Sequence, residues 1–97
     1  AVVGMTKALA AEWGQTKVTV NAVCPAYVET DMAENAINTI MSNTGRSREQ
    51  AIAELAGMNP QKRLIQVEEV AECVFWLCHP NSFTVNGKAI SLDGGAP

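Results

Sequence analysis

Apolar positions recur at two different periods along this chain, and the switches between them mark its elements. Val2, Met5, Leu9 and Trp13 follow the helical period, and Val3 and Ala10 add apolar surface on an adjacent face. This predicts a helix over 1–13, with Gly14 as the residue that ends it. A stripe this wide belongs to a helix that is deeply buried or packs on a second subunit, and burial is the expectation from the residues. The run Val18-Thr19-Val20-Asn21-Ala22-Val23 is short and β-branched with no clean polar face, as in a central parallel strand covered on both sides. Asn21 is its polar exception, and a buried amide must be hydrogen-bonded, so it is expected to tie a neighbouring loop or backbone. Pro25 has no N–H for a ladder and should stop the pairing.

Helical spacing resumes after a short turn. Thr30 or Asp31 suits a helix N-cap, and Asp31 with Glu34 fits a capping box. Ile37, Ile40 and Met41 give a short stripe that Asn43-Thr44-Gly45 breaks. Ser47 and Gln50 form a second capping-box pattern, opening a helix with Ala51, Ile52, Leu55 and Ala56 that closes at Gly57 before Asn59-Pro60. Both helices are short with thin stripes, so the segment 31–60 is expected to hold few core anchors and to be the mobile part. A further helix is predicted over 66–79, with Glu68 and Glu69 in its first turn, Val70, Val74 and Leu77 as its buried stripe, Cys73 beside it, and His79 in its last turn before Pro80. Asn86-Gly87 signals a turn, and Lys88–Leu92 a second strand closed by Asp93-Gly94-Gly95. Helix, strand, three helices, strand is the order of an α/β layer with a parallel pair and a long right-handed crossover.

Composition narrows the function. The 97 residues allow one domain at most, and a hydrophobic content of 47% argues against disorder. The net charge is −3 with scattered Lys and Arg, so no basic stripe suggests nucleic acid. No apolar run reaches the ~18 residues of a membrane span. Cys24, Cys73, Cys78 and the single His79 make a poor zinc set, and three reduced, mostly buried thiols in a cytoplasmic protein are the expectation. The chain starts at Ala1 inside a helical pattern, which points to a fragment.

Candidate chemistry is sparse. No Gly-rich phosphate loop occurs, no Ser/His/Asp or Cys/His set is credible, and Tyr27, the one tyrosine, has no Lys four residues after it. No catalytic residue is therefore assigned within these positions. The residues support a ligand-facing turn over 25–31, at the carboxyl end of a strand, where open α/β sheets bind ligands.

Three motifs together resemble the C-terminal portion of a classical short-chain dehydrogenase/reductase: 18–32 (the strand and its Pro-Gly turn), 62–71 (the start of a late helix) and 86–95 (the last strand). The flavour is that of 3-oxoacyl-carrier-protein reductases and 3-hydroxybutyrate dehydrogenases. The resemblance implies a Rossmann-type doubly wound parallel sheet of which residues 1–97 supply two strands and about four helices, NAD or NADP as cofactor, and hydride transfer between a carbonyl and a secondary alcohol. It implies a homo-oligomer, dimer or tetramer, acting on a small molecule. It puts the catalytic Ser, Tyr and Lys and the phosphate-binding glycines in sequence absent from these residues, so this stretch alone is expected to be inactive and associated or loosely packed. Pro25 and Ala26 match the turn beside the nicotinamide, Val28 would present its backbone to the carboxamide, and Thr30 its hydroxyl to the carboxamide or pyrophosphate. Tyr27, Asp31 and Met32 fall on the substrate loop, with 31–60 as its lid. Three positions depart from the family pattern: Ala26 replaces the usual Gly, where a Cβ would crowd a turn that needed a positive φ, Val67 replaces a helix-opening Pro, and Asn86 a Thr. The alternative reading is a non-catalytic binding or assembly module from a truncated or degenerate member.

Overall fold

The computed structural model describes residues 1–96. Its elements are α1 (Val2–Glu12), β1 (Ala22–Pro25), α2 (Asp31–Thr44), α3 (Arg48–Ala56), α4 (Val67–Leu77), a 3₁₀ turn at Pro80–Ser82 and β2 (Ala89–Leu92). The predicted order stands, with the 3₁₀ turn added. β1 and β2 pair, and Ala22 N donates to Lys88 O at 2.8 Å while Ala26 N donates to Leu92 O at 2.9 Å. Both segments advance together between those bonds, which is parallel register.

The first strand begins later than its β-branched run predicts, at Ala22 instead of Val18. Side-chain amides explain the delay. Val20 N donates to Asn86 Oδ1 at 2.9 Å, and Asn21 donates from Nδ2 to Val85 O at 2.9 Å while its Oδ1 accepts Lys88 N at 3.1 Å. Besides the backbone bond from Gly87 N to Val20 O at 2.8 Å, the chain there is held by these side-chain amides, which is the tying role expected of Asn21. Pro25 is the last strand residue and does not interrupt the pair. Its neighbours in register, Ala22 and Ala26, point their N–H groups at β2. The missing donor of Pro25 therefore faces the opposite edge, where a proline costs no bond to β2.

The chain forms two compact units, residues 1–24 with 68–91, and residues 25–67 with the chain from Leu92 on. In the first unit, α1 does not bury its large apolar residues. Thr6 and Ala10 are buried, while Val2 is 61% exposed, Met5 57% and Trp13 46%. Small residues form the contact because Gly87 comes close: at φ +72° it lies where a Cβ would stand only 3.2 Å from the Ala10 Cβ. Gly14 follows the C-cap Trp13 as expected, but without the left-handed conformation that favours glycine. α4 holds no fully buried residue. Its half-buried stripe is Val70, Cys73 and Leu77, and Val74, predicted in that stripe, is exposed with Phe75 and Trp76. The helix ends at Leu77, and His79 instead caps the 3₁₀ turn, its Nδ1 accepting Asn81 N at 3.1 Å. All three thiols are free; Cys24 and Cys73 are half-buried, and Cys78 is exposed against expectation.

The second unit reverses the expectation of a weakly anchored segment. Ala33 and Ile37 of α2 and Ala51 and Leu55 of α3 form a buried cluster, with Ile40, Met41, Ile52 and Leu64 packed against it. Each helix supplies the other's cover, so thin stripes suffice. Full burial of Ile37 and Leu55 contributes about 1.5–3 kcal/mol apiece. The predicted box at Ser47 forms: Gln50 N donates to Ser47 Oγ at 3.2 Å and Ser47 N to Gln50 Oε1 at 3.0 Å. Gly45, at φ +70°, ends α2 in the left-handed conformation. Ion pairs join Arg48 to Glu34 and Arg46 to Glu54. Among the described residues no helix is long and apolar enough to cross a membrane.

Candidate functional site

The turn that leaves β1 lies in the second unit, and its shape follows from how few groups it buries. Pro25, Ala26, Tyr27, Glu29, Thr30, Asp31 and Met32 are exposed, Met32 at 76%, and only Val28 is half-buried. Such a segment needs an outside anchor to hold one conformation, and it has one. Ile65, itself 3% exposed, donates from N to Tyr27 O at 2.9 Å and accepts Glu29 N on its carbonyl at 2.8 Å. This is an isolated parallel bridge centred on Val28. Gln66 Nε2 reinforces it by donating to Glu29 Oε2 at 2.6 Å. The sequence places Ile65 and Gln66 only in the run that opens the late helix and gives neither a role at this turn. The available signal is Leu64-Ile65, an apolar pair set between polar residues just before α4.

Thr30 is the N-cap of α2, with extended backbone at φ −141°, ψ 179°. Its hydroxyl donates to Val28 O at 3.2 Å and makes no capping bond to the helix. The predicted Asp31–Glu34 box does not form. With Thr30 as N-cap, Glu34 lies one position beyond the reach of a box, and its carboxylate turns to Arg48, which donates from Nη1 at 2.8 Å. That hydrogen bond holds the Glu34 carboxyl below its ordinary range and raises the Arg48 guanidinium. Ala26 raises no steric conflict. Among the described non-glycine residues only Lys62 has a positive φ, so the turn does not demand glycine at 26.

The predicted site residues Pro25 to Met32 thus form one exposed, contiguous surface ending at a helix start that the Thr30 side chain leaves uncapped. A 14-residue helix presents a partial positive end there, favourable to anionic and polar ligand groups. Asp31 and Glu34 oppose this in the first turn, and Arg48 offsets the charge of Glu34. No trio of His, Cys, Asp or Glu is grouped to hold a metal among the described residues.

Here a parallel pair has a first strand that runs out into an exposed turn and a helix start, and in open α/β sheets as a class ligands bind outside the carboxyl ends of the strands. Residues 1–97 match the family model described as enoyl-(acyl carrier protein) reductase, and the chain belongs to this family of short-chain dehydrogenases/reductases with a Rossmann-type fold. It is 38% identical over 96 residues to a D-beta-hydroxybutyrate dehydrogenase of Rhizobium meliloti, covering 97% of this chain and 37% of that protein. Among solved structures, a short chain dehydrogenase family protein from Francisella tularensis superposes with a TM-score of 0.91 at 35% identity, over 97% of this chain and 39% of that one. An actinorhodin polyketide ketoreductase solved with NADPH gives 0.88 at 40% identity, over 97% of this chain and 36% of that one. The chain therefore spans between 36% and 39% of the length of these relatives.

Proposed function

We propose that these residues form the nicotinamide-side wall and the substrate-facing segment of an NAD(P)-dependent oxidoreductase that interconverts a carbonyl and a secondary alcohol. The observation that carries this reading is the exposed turn from Pro25 to Thr30, pinned by Ile65 and opening into α2, in a chain of this family. The residues fit a dinucleotide on two counts. The turn accepts Ala26 without a positive φ, and the Thr30 hydroxyl is spent only on a local 3.2 Å bond, so it can turn to a ligand.

On this reading Pro25 and Ala26 line the nicotinamide, the Val28 backbone meets its carboxamide, and Thr30 donates to the carboxamide or pyrophosphate. Tyr27, Asp31 and Met32 face the substrate, and 31–60 acts as its lid. When bound, the nicotinamide supplies or accepts the hydride. The chain's own contribution is to orient that ring and keep water from it. The proton donor comes from polypeptide outside these residues, so the 97 residues alone are inactive. The apolar exposure of α1 and α4, with Trp13 46% and Phe75 71% exposed, supports association with further polypeptide.

The test joins this chain to the remainder of such a domain, in cis or as a second chain, and measures nicotinamide-dependent reduction of a ketone. Thr30→Val should weaken cofactor binding by about 1–2 kcal/mol, the scale of one lost hydrogen bond to a polar or charged group. Unfolding should stay unchanged, because Thr30 caps nothing with its side chain. An unaltered Kd would remove Thr30 from the site, and turnover by the 97 residues alone would overturn the division of labour.

A further inference from the structure

We infer that Asn59 and Gly94 are positioning residues for the cofactor-facing turn, acting on it through residues 63–65; the inference rests on the function proposed above. Asn59 is 7% exposed, and both ends of its amide are used. Oδ1 accepts Gln61 N at 2.9 Å, and Nδ2 donates to Arg63 O at 2.9 Å. The intervening Lys62 is held at φ +56°, a region that a non-glycine residue enters only when its surroundings impose it. The amide thus fixes the path of the chain into Arg63, two residues before Ile65. Ile65 in turn makes both bonds that hold the Tyr27 carbonyl and the Glu29 N–H.

Gly94 sets the amide from the other side. At φ +65° it lies so close that a Cβ there would fall 2.7 Å from Asn59 Oδ1 and 3.2 Å from Gln61 Cγ. Real Cβ atoms do not approach an oxygen so closely, so a side chain at 94 must displace the Asn59 amide, whose Oδ1 holds Gln61 N and whose Nδ2 holds Arg63 O, or shift the 93–95 turn against it. The Asp93-Gly94-Gly95 turn is itself braced, since Gly95 N donates to Asp93 Oδ1 at 3.1 Å. A turn of mostly exposed residues is therefore placed by a buried amide that lies two helices further along the sequence, clamped by a glycine at the far end of the chain.

Two variants break this relay at different points. Asn59→Ser keeps an acceptor for Gln61 N but cannot reach Arg63 O. Gly94→Ala crowds the amide without altering it. In the complete polypeptide, each should speed amide exchange at Ile65 and Glu29 at least tenfold and leave Ala10 in α1 unchanged. The NADH or NADPH dissociation constant, read by nicotinamide fluorescence, should rise threefold or more. The KM for cofactor should follow, with kcat at saturating cofactor within twofold. Unchanged exchange at Ile65 and Glu29 overturns the relay. Faster exchange with an unaltered dissociation constant overturns its role in positioning the cofactor turn. A parent protein that binds neither nucleotide overturns the proposed function instead, while exchange still decides the relay. If neither variant folds, the unmodified protein provides the test: Gln61, Ile65 and Glu29 should exchange at rates within tenfold of one another, because one opening exposes all three. A wider spread overturns the inference.

Discussion

Asn21 and Asn86 serve each other's neighbours: Asn21 Oδ1 accepts from Lys88 N, and Asn86 Oδ1 accepts from Val20 N. Two side-chain amides thus supplement a single backbone bond, Gly87 N to Val20 O, just before β1 begins at Ala22. The arrangement leaves a simple liability, because the single Asn21 side chain holds two backbone groups at once.

Asn21→Ala should cost about 1–3 kcal/mol, the usual penalty when partly buried backbone groups lose their partners. Lys88 N and Val85 O are the groups that lose the amide. Denaturant unfolding should show a lower midpoint with an unchanged slope. A change below about 0.5 kcal/mol would mean that water replaces the amide without loss.

Ala26→Gly is expected to harm, not help. The position does not need a positive φ, so glycine adds only unfolded-state freedom. The cost should be about 0.4–1 kcal/mol in unfolding free energy. A stabilising effect would show that the turn is strained by the alanine methyl.

Glu34 should give the α2–α3 pair a mild acid sensitivity. Hydrogen bonding to Arg48 lowers its carboxyl pKa in the folded chain. Its contribution to stability is complete above the unfolded glutamate value of about 4.3 and is lost as pH falls through the lower folded value. In Glu34→Gln the acid limb of a helix-detected pH titration should flatten. The effect should be small and screened by salt, since the pair is exposed.

Leu55→Ala should destabilise by about 2–5 kcal/mol, as large-to-small changes in a closed core do. Leu55 is 2% exposed, within the buried cluster of the second unit. Amide exchange at Ile37 and Leu55 should accordingly be slower than at Val18, whose N–H donates to the Thr16 hydroxyl at 3.1 Å in an exposed stretch. Faster exchange at Ile37 would mean that this segment is weakly anchored after all.

Local chemistry is legible in the residues themselves. The Ser47–Gln50 box, the turn at Gly87 and the order of helices and strands all rest on contacts between near neighbours or on short-range preference. The need of the Asn21 amide for partners follows from its place in an apolar run, although the partners themselves, Val85 and Lys88, lie far along the chain. The exposed turn over 25–32 is visible for the same reason, since Pro25 and the start of α2 bracket it in sequence. Burial is another matter. Periodicity shows which face of a helix is apolar, not what covers it, so α1 and α4 read as core while the thinner stripes of α2 and α3 become core by covering one another. The Asp31–Glu34 box fails because Thr30 is the N-cap, which leaves Glu34 one position too far, and its carboxylate goes instead to Arg48, fourteen positions on. Only the tertiary structure brings Ile65 onto Val28 and Gly94 onto Asn59, for those contacts join residues thirty-five or more positions apart, a separation across which neither propensity nor spacing carries information.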